Sequence, residues 1–230
     1  MRIPAVLCAV LAAARALGEP QCPPEGTGKA PRSVSASEIP VAHTPLPGGY
    51  KDRFPDPVLA TCSEPLAADA PDLRGLWRTV RAEQVHEPGS RLWSVTKFAF
   101  WNAFGVERER APVPAGDYIY GYVERIEQCG NRIVDIGGGT IADARADGSE
   151  ENGVHDVSAF DFATPIHVKA SFENGAFVLR PVNVPFIAVT RRLDADGHMV
   201  WHRPDLGDRL VTLERIGGPC DEPTGTAWAR

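Results

Sequence analysis

The stretch "IHVKASFENGAFVLRP", residues 166–181, decides the fold class of this chain. From Ile166 to Glu173, apolar side chains alternate with polar ones, which is the period-two pattern of a half-buried β-strand. Asn174-Gly175 follows, a pair that favours a two-residue turn between antiparallel strands, and another apolar run begins at Ala176. The stretch therefore predicts a β-hairpin.

The same pattern recurs on both sides of that hairpin. Short alternating or apolar runs, separated by turn residues, fall at residues 91–102, 117–129, 132–146, 154–162, 186–193, 198–203 and 208–216. The segments between them show no amphipathic helical period of useful length. This spacing is typical of an antiparallel sandwich or an up-and-down barrel. We predict an all-β, up-and-down antiparallel barrel of about eight or nine strands with an irregular N-terminal arm.

The N-terminus differs from the rest of the chain. Residues 1–18, "MRIPAVLCAVLAAARALG", carry an early basic residue, a short apolar run and then small residues, an order typical of a cleaved secretory signal. The apolar run is too short for a membrane span. Residues 19–72 are rich in Pro and Gly and predict an irregular arm, with one short helix at 63–70. The predicted barrel domain covers 73–218, a tail covers 219–230, and we expect the protein to be secreted.

The cysteine count also favours export. Apart from Cys8, which lies in the signal segment, the cysteines are Cys22, Cys62, Cys129 and Cys220. An even number of well-separated cysteines predicts two disulfides, with three possible pairings. In an up-and-down barrel the last strand lies beside the first. That neighbourhood favours a bond between Cys62 and Cys220 and leaves Cys22 for Cys129.

Charge and spacing exclude several function classes. The net charge of -6 and the absence of a basic run make binding to nucleic acid or anionic membranes unfavourable. We predict no metal site and no cofactor, because the chain has no CxxC pair and no EF-hand spacing. The acidic and histidine residues between 143 and 167 are interpreted as turn and surface residues: Asp143, Asp147, His155, Asp156, Asp161 and His167.

Residues 133–143, "IVDIGGGTIAD", raise a separate question. An aspartate before a glycine triplet and a threonine resembles the phosphate loops of actin-like ATPases. Such an enzyme needs a doubled α/β domain and another phosphate loop, and this chain predicts neither. We therefore interpret Gly137–Gly139 as a bend within one long strand at a corner of the barrel. The alternative, which we rank second, is that these glycines form the floor of a pocket, where they contribute no side chains.

The stretch "PDLRGLWRTV", residues 71–80, opens the strand region. Its Gly75-x-Trp77 resembles the first motif of lipocalins and the wider calycins, and the resemblance extends over the strands of 71–218. In that family the tryptophan plugs the closed end of the barrel and a basic residue of the last strand packs over it. The resemblance implies that role for Arg215, with Arg209 as second choice. The C-terminal helix usual in lipocalins is not predicted here.

A barrel of this kind has room for side chains or one small ligand. Aromatic residues are the candidates for lining it, with ordinary core packing as the alternative for each: Phe98, Phe100, Tyr118, Tyr120, Tyr122, Phe172, Phe177 and Trp201. We expect a secreted lipocalin-like protein that binds a small hydrophobic molecule. The alternative is a barrel enzyme of isomerase, cyclase or hydratase type that uses an interior histidine or carboxylate.

Overall fold

The computed structural model describes residues 21–22, 34–45, 49–50, 53–85, 110–150, 167–182, 188–204 and 208–223. Within these ranges, ten β-strands form one antiparallel sheet. They are β1 (Gly75–Val85), β2 (Arg110–Pro112), β3 (Val123–Cys129), β4 (Arg132–Gly137), β5 (Thr140–Arg145), β6 (Val168–Glu173), β7 (Ala176–Pro181), β8 (Val189–Leu193), β9 (Met199–Arg203) and β10 (Arg209–Gly217).

The sheet curls into a nearly closed barrel. Its strand order is β5-β4-β3-β1-β10-β9-β8-β7-β6, with β2 paired to the far end of β1. The two outer strands approach each other where the chain leaves β5, because the Gly148 N–H donates to the Ala170 carbonyl at 2.8 Å. The first and last long strands, β1 and β10, are neighbours. The predicted all-β antiparallel barrel is therefore confirmed.

The deciding hairpin forms as the sequence predicts. Asn174 and Gly175 have φ values of 50° and 72° and connect β6 to β7, the combination that a tight hairpin turn requires. The run at 117–129 behaves differently, since a 3₁₀ helix at Tyr118–Gly121 precedes β3. Asp117 causes this by capping, because its Oδ1 accepts from the Ile119 N–H at 3.0 Å. The prediction of one continuous strand there was wrong.

The predicted helix at 63–70 is also wrong. That segment is irregular and is held by the turn after β3, where the Ala67 N–H donates to the Gly130 carbonyl at 2.9 Å. Three predictions lie outside the described residues: the signal segment at 1–18 and the strands at 91–102 and 154–162.

Trp77 occupies the closed end of the barrel and has no solvent exposure. Its indole N–H donates to the Leu73 carbonyl at 2.8 Å, and the Arg215 guanidinium carbon lies 4.7 Å from the centre of its ring. This is the contact that the family resemblance implied. Gly75 makes it possible, since a Cβ there would lie 2.9 Å from the Gly217 carbonyl oxygen and 3.1 Å from Cγ of Arg215.

The N-terminal arm packs against the outer face of β3, β4 and β5. An irregular segment lacks sheet partners for its backbone groups, so those groups need others. Arg132 and Asp143 supply them as a buried pair, with Arg132 Nη2 2.7 Å from Asp143 Oδ2. Arg132 donates to the carbonyls of Ala36, Ile39 and Pro40, and Asp143 accepts from the N–H of Ala42. Arg132 and Asp143, which lie on the outer face of the sheet, therefore anchor the arm.

The disulfides among the described cysteines are Cys22–Cys220 and Cys62–Cys129. The predicted pairing of Cys62 with Cys220 and of Cys22 with Cys129 was wrong. Cys220 does reach the rim beside the start of β1, but the short segment at 21–22 lies there. The Cys22 N–H donates to the carbonyl of Ala60 at 3.1 Å, while Cys62 turns toward the end of β3. The order of the strands alone does not show where the arm segment at 21–22 lies, so it could not predict this pairing.

Stability measurements will test the closed end. Truncating a buried tryptophan removes a large packed side chain, so we expect Trp77→Ala to lower the free energy of unfolding by about 3–5 kcal/mol. Arg215→Ala removes an exposed cation above the ring and should cost about 0.5–1 kcal/mol. Urea unfolding of both variants, with Arg192→Ala as an exposed control, checks the order. An Arg215→Ala protein as stable as the control would contradict a role for the contact.

Candidate ligand-binding site

A cavity of about 200 Å³ lies at the end of the barrel opposite Trp77. The 3₁₀ helix, the turn between β4 and β5, β9 and β10 enclose it. Its wall combines aromatic, arginine, apolar and glycine residues: Tyr118, Ile119, Tyr122, Gly137, Gly138, Thr140, Trp201, Arg203, Arg209 and Val211. Apolar side chains fill the described interior nearer the closed end, among them Met199 and Leu213. This cavity therefore lies at the mouth, next to packed apolar side chains.

A charged cluster crosses the barrel beneath this cavity. Arg191 on β8 places its Nη2 3.0 Å from Glu124 Oε2 on β3, and the same nitrogen donates to the carboxylate of Asp135 on β4. The Tyr122 hydroxyl donates to Glu124 Oε2 at 3.0 Å. Arg191 and Glu124 are buried, and a buried charge needs such partners. The cluster joins β8 to β3 and β4, although β1, β10 and β9 lie between them in the sheet order.

Burial changes the proton affinity of this cluster. Loss of solvent raises the pKa of Asp135 to about 8 against the opposing charge of Arg191, and the Glu124 carboxylate raises it further. Burial also raises the pKa of the Tyr122 hydroxyl well above its usual value, with Glu124 adding to the effect. The Arg191 and Arg203 guanidinium groups lower the pKa of Asp135 but do not outweigh the effect of burial, so Asp135 keeps its proton to a higher pH than an exposed aspartate does.

Trp201 is the central aromatic residue of the wall, with only 5% of its surface exposed. Its ring stacks on Tyr122 at a centroid distance of 5.3 Å. The guanidinium carbons of Arg191 and Arg203 lie 4.5 Å and 4.7 Å from its centre. Two cations and a stacked ring fix the orientation of the indole. Its Nε1 has no hydrogen-bond partner in the part of the chain that the structure describes.

The glycine triplet forms part of this wall. Gly138 and Gly139 have φ values of 59° and 83° and make the two-residue turn between β4 and β5, so the predicted bend within one strand was wrong. A Cβ on Gly137 would lie 2.5 Å from the Tyr122 hydroxyl oxygen, so a side chain there would displace Tyr122. Gly137 and Gly138 line the cavity, as the second-ranked interpretation had it.

The predicted aromatic residues have different positions. Tyr122 and Trp201 line the cavity, and Tyr118 lies at its rim with 61% exposure. The Tyr120 hydroxyl donates to the Val113 carbonyl at 2.9 Å, and its ring packs on the core. Phe172 packs against Phe177 at 5.8 Å and is absent from the lining. Phe98 and Phe100 lie outside the described residues.

Sequence reasoning missed the charged residues of the site. Arg191, Glu124 and Asp135 each occupy a strand position whose side chain points inward, where alternation predicts an apolar residue. Arg203 and Arg209 end or begin their strands, which is typical of solvated residues. The available signal was the break in alternation itself, because an ionisable residue at an inward position needs a partner of opposite charge. The sequence does not show which partner.

The polar candidates that fall within the described residues do not line the cavity. The interpretation of Asp143 as a turn or surface residue was wrong, because Asp143 is buried on β5 and accepts from the Ala42 N–H of the arm. Asp147 lies in a turn, where it accepts from the Ser149 N–H at 2.8 Å. His155, Asp156 and Asp161 lie outside the described residues. Asp194, Asp196 and His198 lie close together, but Asp194 Oδ1 accepts from the backbone N–H groups of the other two and thereby shapes the turn between β8 and β9.

The fold and the cavity define a class: a nearly closed antiparallel β-barrel with a small aromatic-lined cavity at its mouth. Comparison with protein-family models finds no match, and comparison with curated proteins finds none either. Among the described residues there is no helix long and apolar enough to cross a membrane.

The pH dependence of stability will test the proton on Asp135. The unfolded aspartate ionises near pH 4, whereas the folded one keeps its proton to about pH 8. Between these values the folded state binds more protons, so stability falls as the pH rises. We expect Asp135→Asn to remove this loss, which for one proton reaches about 1.4 kcal/mol per pH unit.

Urea unfolding from pH 5 to pH 8 measures the difference between the two proteins. Asp196→Asn, in an exposed turn, serves as the control and should keep the wild-type slope. Parallel profiles of Asp135→Asn and the wild type would show that Asp135 is ionised throughout this range.

Proposed function

We propose that this protein is an exported, lipocalin-like binding protein that holds a small, mainly apolar molecule in the cavity at the barrel mouth. The observation that carries the proposal is the cavity itself. Tyr122 and Trp201 line this open space at the mouth, next to a packed cluster of apolar side chains. Concave, largely apolar sites with a few placed polar groups are the usual form of small-molecule sites.

The size of the cavity limits the ligand. Pockets for drug-sized ligands measure about 300–1,000 Å³, and this one measures about 200 Å³. A compact ring system fits that space, whereas a long acyl chain, a retinoid or a tetrapyrrole does not. Stacking on Trp201 and Tyr122 supports a flat ligand, since ring–ring contacts add to the burial of apolar area.

Two further observations support the class and the location. The Gly75-x-Trp77 motif, with Arg215 above the indole, matches the closed end that the lipocalin resemblance implies. Two disulfides among the described cysteines suit an oxidising compartment, and this agrees with the secretory signal predicted from residues 1–18.

The enzyme alternative has one observation in its favour. Burial raises the pKa of Asp135 to about 8, and a carboxyl group with such a pKa can act in acid–base chemistry. Asp135 does not line the cavity, however. A bound ligand would contact most of the residues that line the cavity, whereas this carboxyl group lies outside that lining. We therefore favour a binding function over a catalytic one.

Ligand titration will test the proposal. We expect compact ring compounds, such as monoterpenoids and one-ring aromatics, to shift the tryptophan emission and raise the melting temperature with micromolar affinity, which corresponds to about 8 kcal/mol. Retinol, palmitate, haem and ATP with magnesium should not. If none of the compact compounds shifts either signal, the binding function is wrong.

A matched pair of variants locates the site. Thr140 lines the cavity, and Thr140→Trp should fill it and abolish binding. Thr212 lies between Val211 and Leu213 on β10, and its side chain points to the opposite face of the strand. Thr212→Trp should therefore keep the wild-type affinity. Equal affinity of both variants would place the ligand elsewhere.

A further inference from the structure

Tyr122 forms part of the boundary between the cavity and the buried charged cluster. Its ring lines the cavity, and its hydroxyl donates to Glu124 Oε2 at 3.0 Å. Neither Glu124 nor Arg191, which contacts that carboxylate from β8, belongs to the cavity lining. The side chain of Tyr122 therefore reaches from the open space to the cluster. A shorter side chain at this position would extend the open space toward the cluster.

Gly137, at the end of β4, leaves the space that the Tyr122 side chain occupies. A Cβ on Gly137 would lie 2.5 Å from the Tyr122 hydroxyl oxygen, 3.0 Å from its Cζ and 2.9 Å from Cβ of Glu124. Gly138 and Gly139 have positive φ values, which their turn requires, whereas Gly137 does not. The backbone conformation at 137 therefore does not demand glycine, but the position of the Tyr122 side chain does.

The Tyr122 ring is also held by β9. It stacks on the Trp201 ring, with the ring centres 5.3 Å apart and the ring planes 30° from parallel. Trp201 is itself fixed, since it is buried and the guanidinium carbon of Arg191 lies 4.5 Å from its centre. Stacking and a buried hydrogen bond together keep the Tyr122 ring in one position. The ring is therefore a fixed wall that limits the cavity to about 200 Å³.

We propose that Tyr122 sets the upper size limit of the ligand and excludes fused two-ring aromatic compounds, and that Gly137 provides the space in which its side chain lies. This inference rests on the proposed binding function and names the residue that determines its specificity. A ligand with a second fused ring needs space that the Tyr122 ring fills. The first glycine of the triplet thus acts on the ligand through Tyr122.

Two neutral probes that differ by one fused ring will test the size limit. Benzyl alcohol has one aromatic ring, and 2-naphthalenemethanol has two. We expect calorimetric titration to show that the wild type binds benzyl alcohol at least about tenfold more tightly, because the second ring meets Tyr122. Tyr122→Leu should bind 2-naphthalenemethanol at least about tenfold more tightly than the wild type does, since the second ring then buries further apolar surface.

Further variants assign the size limit to the Tyr122 ring. Tyr122→Phe keeps the ring without the hydroxyl, so it should still prefer benzyl alcohol. Phe172→Leu removes an aromatic ring that lies outside the lining, and it should match the wild type with both probes. Tyr122→Met replaces the leucine variant if that one does not fold.

A measurement without ligand tests the role of Gly137. Gly137→Ala places a methyl group against Tyr122 and Glu124, so it should lower the melting temperature of the wild type. In the Tyr122→Leu protein the nearest clashing atom is gone, and the same change should lower the melting temperature by about half as much or less. An equal drop in both proteins would overturn the role of Gly137.

The outcomes separate the size limit from the binding function. A folded Tyr122→Leu or Tyr122→Met protein that prefers benzyl alcohol by the wild-type factor would overturn the size limit and leave the binding function standing. So would a wild type that binds both probes equally, or a Tyr122→Phe protein that binds 2-naphthalenemethanol as tightly as Tyr122→Leu does. If neither probe nor any member of the wider compact panel binds to the wild type or to the Tyr122 variants, both the size limit and the binding function fail.

Discussion

The contact of Arg191 with Glu124 and Asp135 is the interaction on which the barrel interior depends. Arg191 lies on β8, whereas its partners lie on β3 and β4, with β1, β10 and β9 between them in the sheet order. The guanidinium therefore spans the interior. Placing three ionisable groups there costs solvation energy that only mutual contacts can offset. The side chains around them must keep their positions for those contacts to persist.

This cluster separates a packed core from an open mouth. In the register of β9 and β10, Met199 and Leu213 are partners, then Trp201 and Val211, then the two arginines of the cavity wall. Arg191 pairs with Trp201 across β8 and β9, so the cluster lies at the level where apolar packing ends. The guanidinium carbon of Arg191 lies 4.5 Å from the centre of the Trp201 ring and helps to fix its orientation.

Buried charged groups also need partners on the outer face of the sheet. Every residue of β3 is buried, because the barrel interior covers one face and the arm covers the other. Arg125 donates to the Pro55 carbonyl, and Glu127 accepts from the Leu59 N–H. Arg125 and Glu127 point to the outer face of the sheet, where charged side chains are normally solvated. Here they form hydrogen bonds with backbone groups of the irregular arm. The arm is a structural part of the barrel, which the cysteine bond between Cys62 and Cys129 reinforces.

Local patterns predicted the local parts of this structure. Alternation and Asn174-Gly175 predicted a hairpin correctly, because period and turn chemistry depend on neighbouring residues. The stretch at 117–122 failed because one capping aspartate outweighed alternation. The arm contacts, the disulfide pairing and the Arg191 cluster join residues far apart in sequence, so no local pattern contains them. For the site, the sequence indicated Tyr122 and Trp201 as lining candidates but not the arginines that accompany them.

A double-mutant cycle on Arg191 and Glu124 tests the central claim most directly. The measured quantity is the free energy of unfolding of the wild type, Arg191→Leu, Glu124→Leu and the double variant. Each single change leaves a buried charge with less compensation and should cost about 3–5 kcal/mol. The double change removes both charges, so its cost should fall short of the sum by about 1–3 kcal/mol. Costs that add to within about 0.5 kcal/mol would show that the two residues do not act as a pair across the barrel.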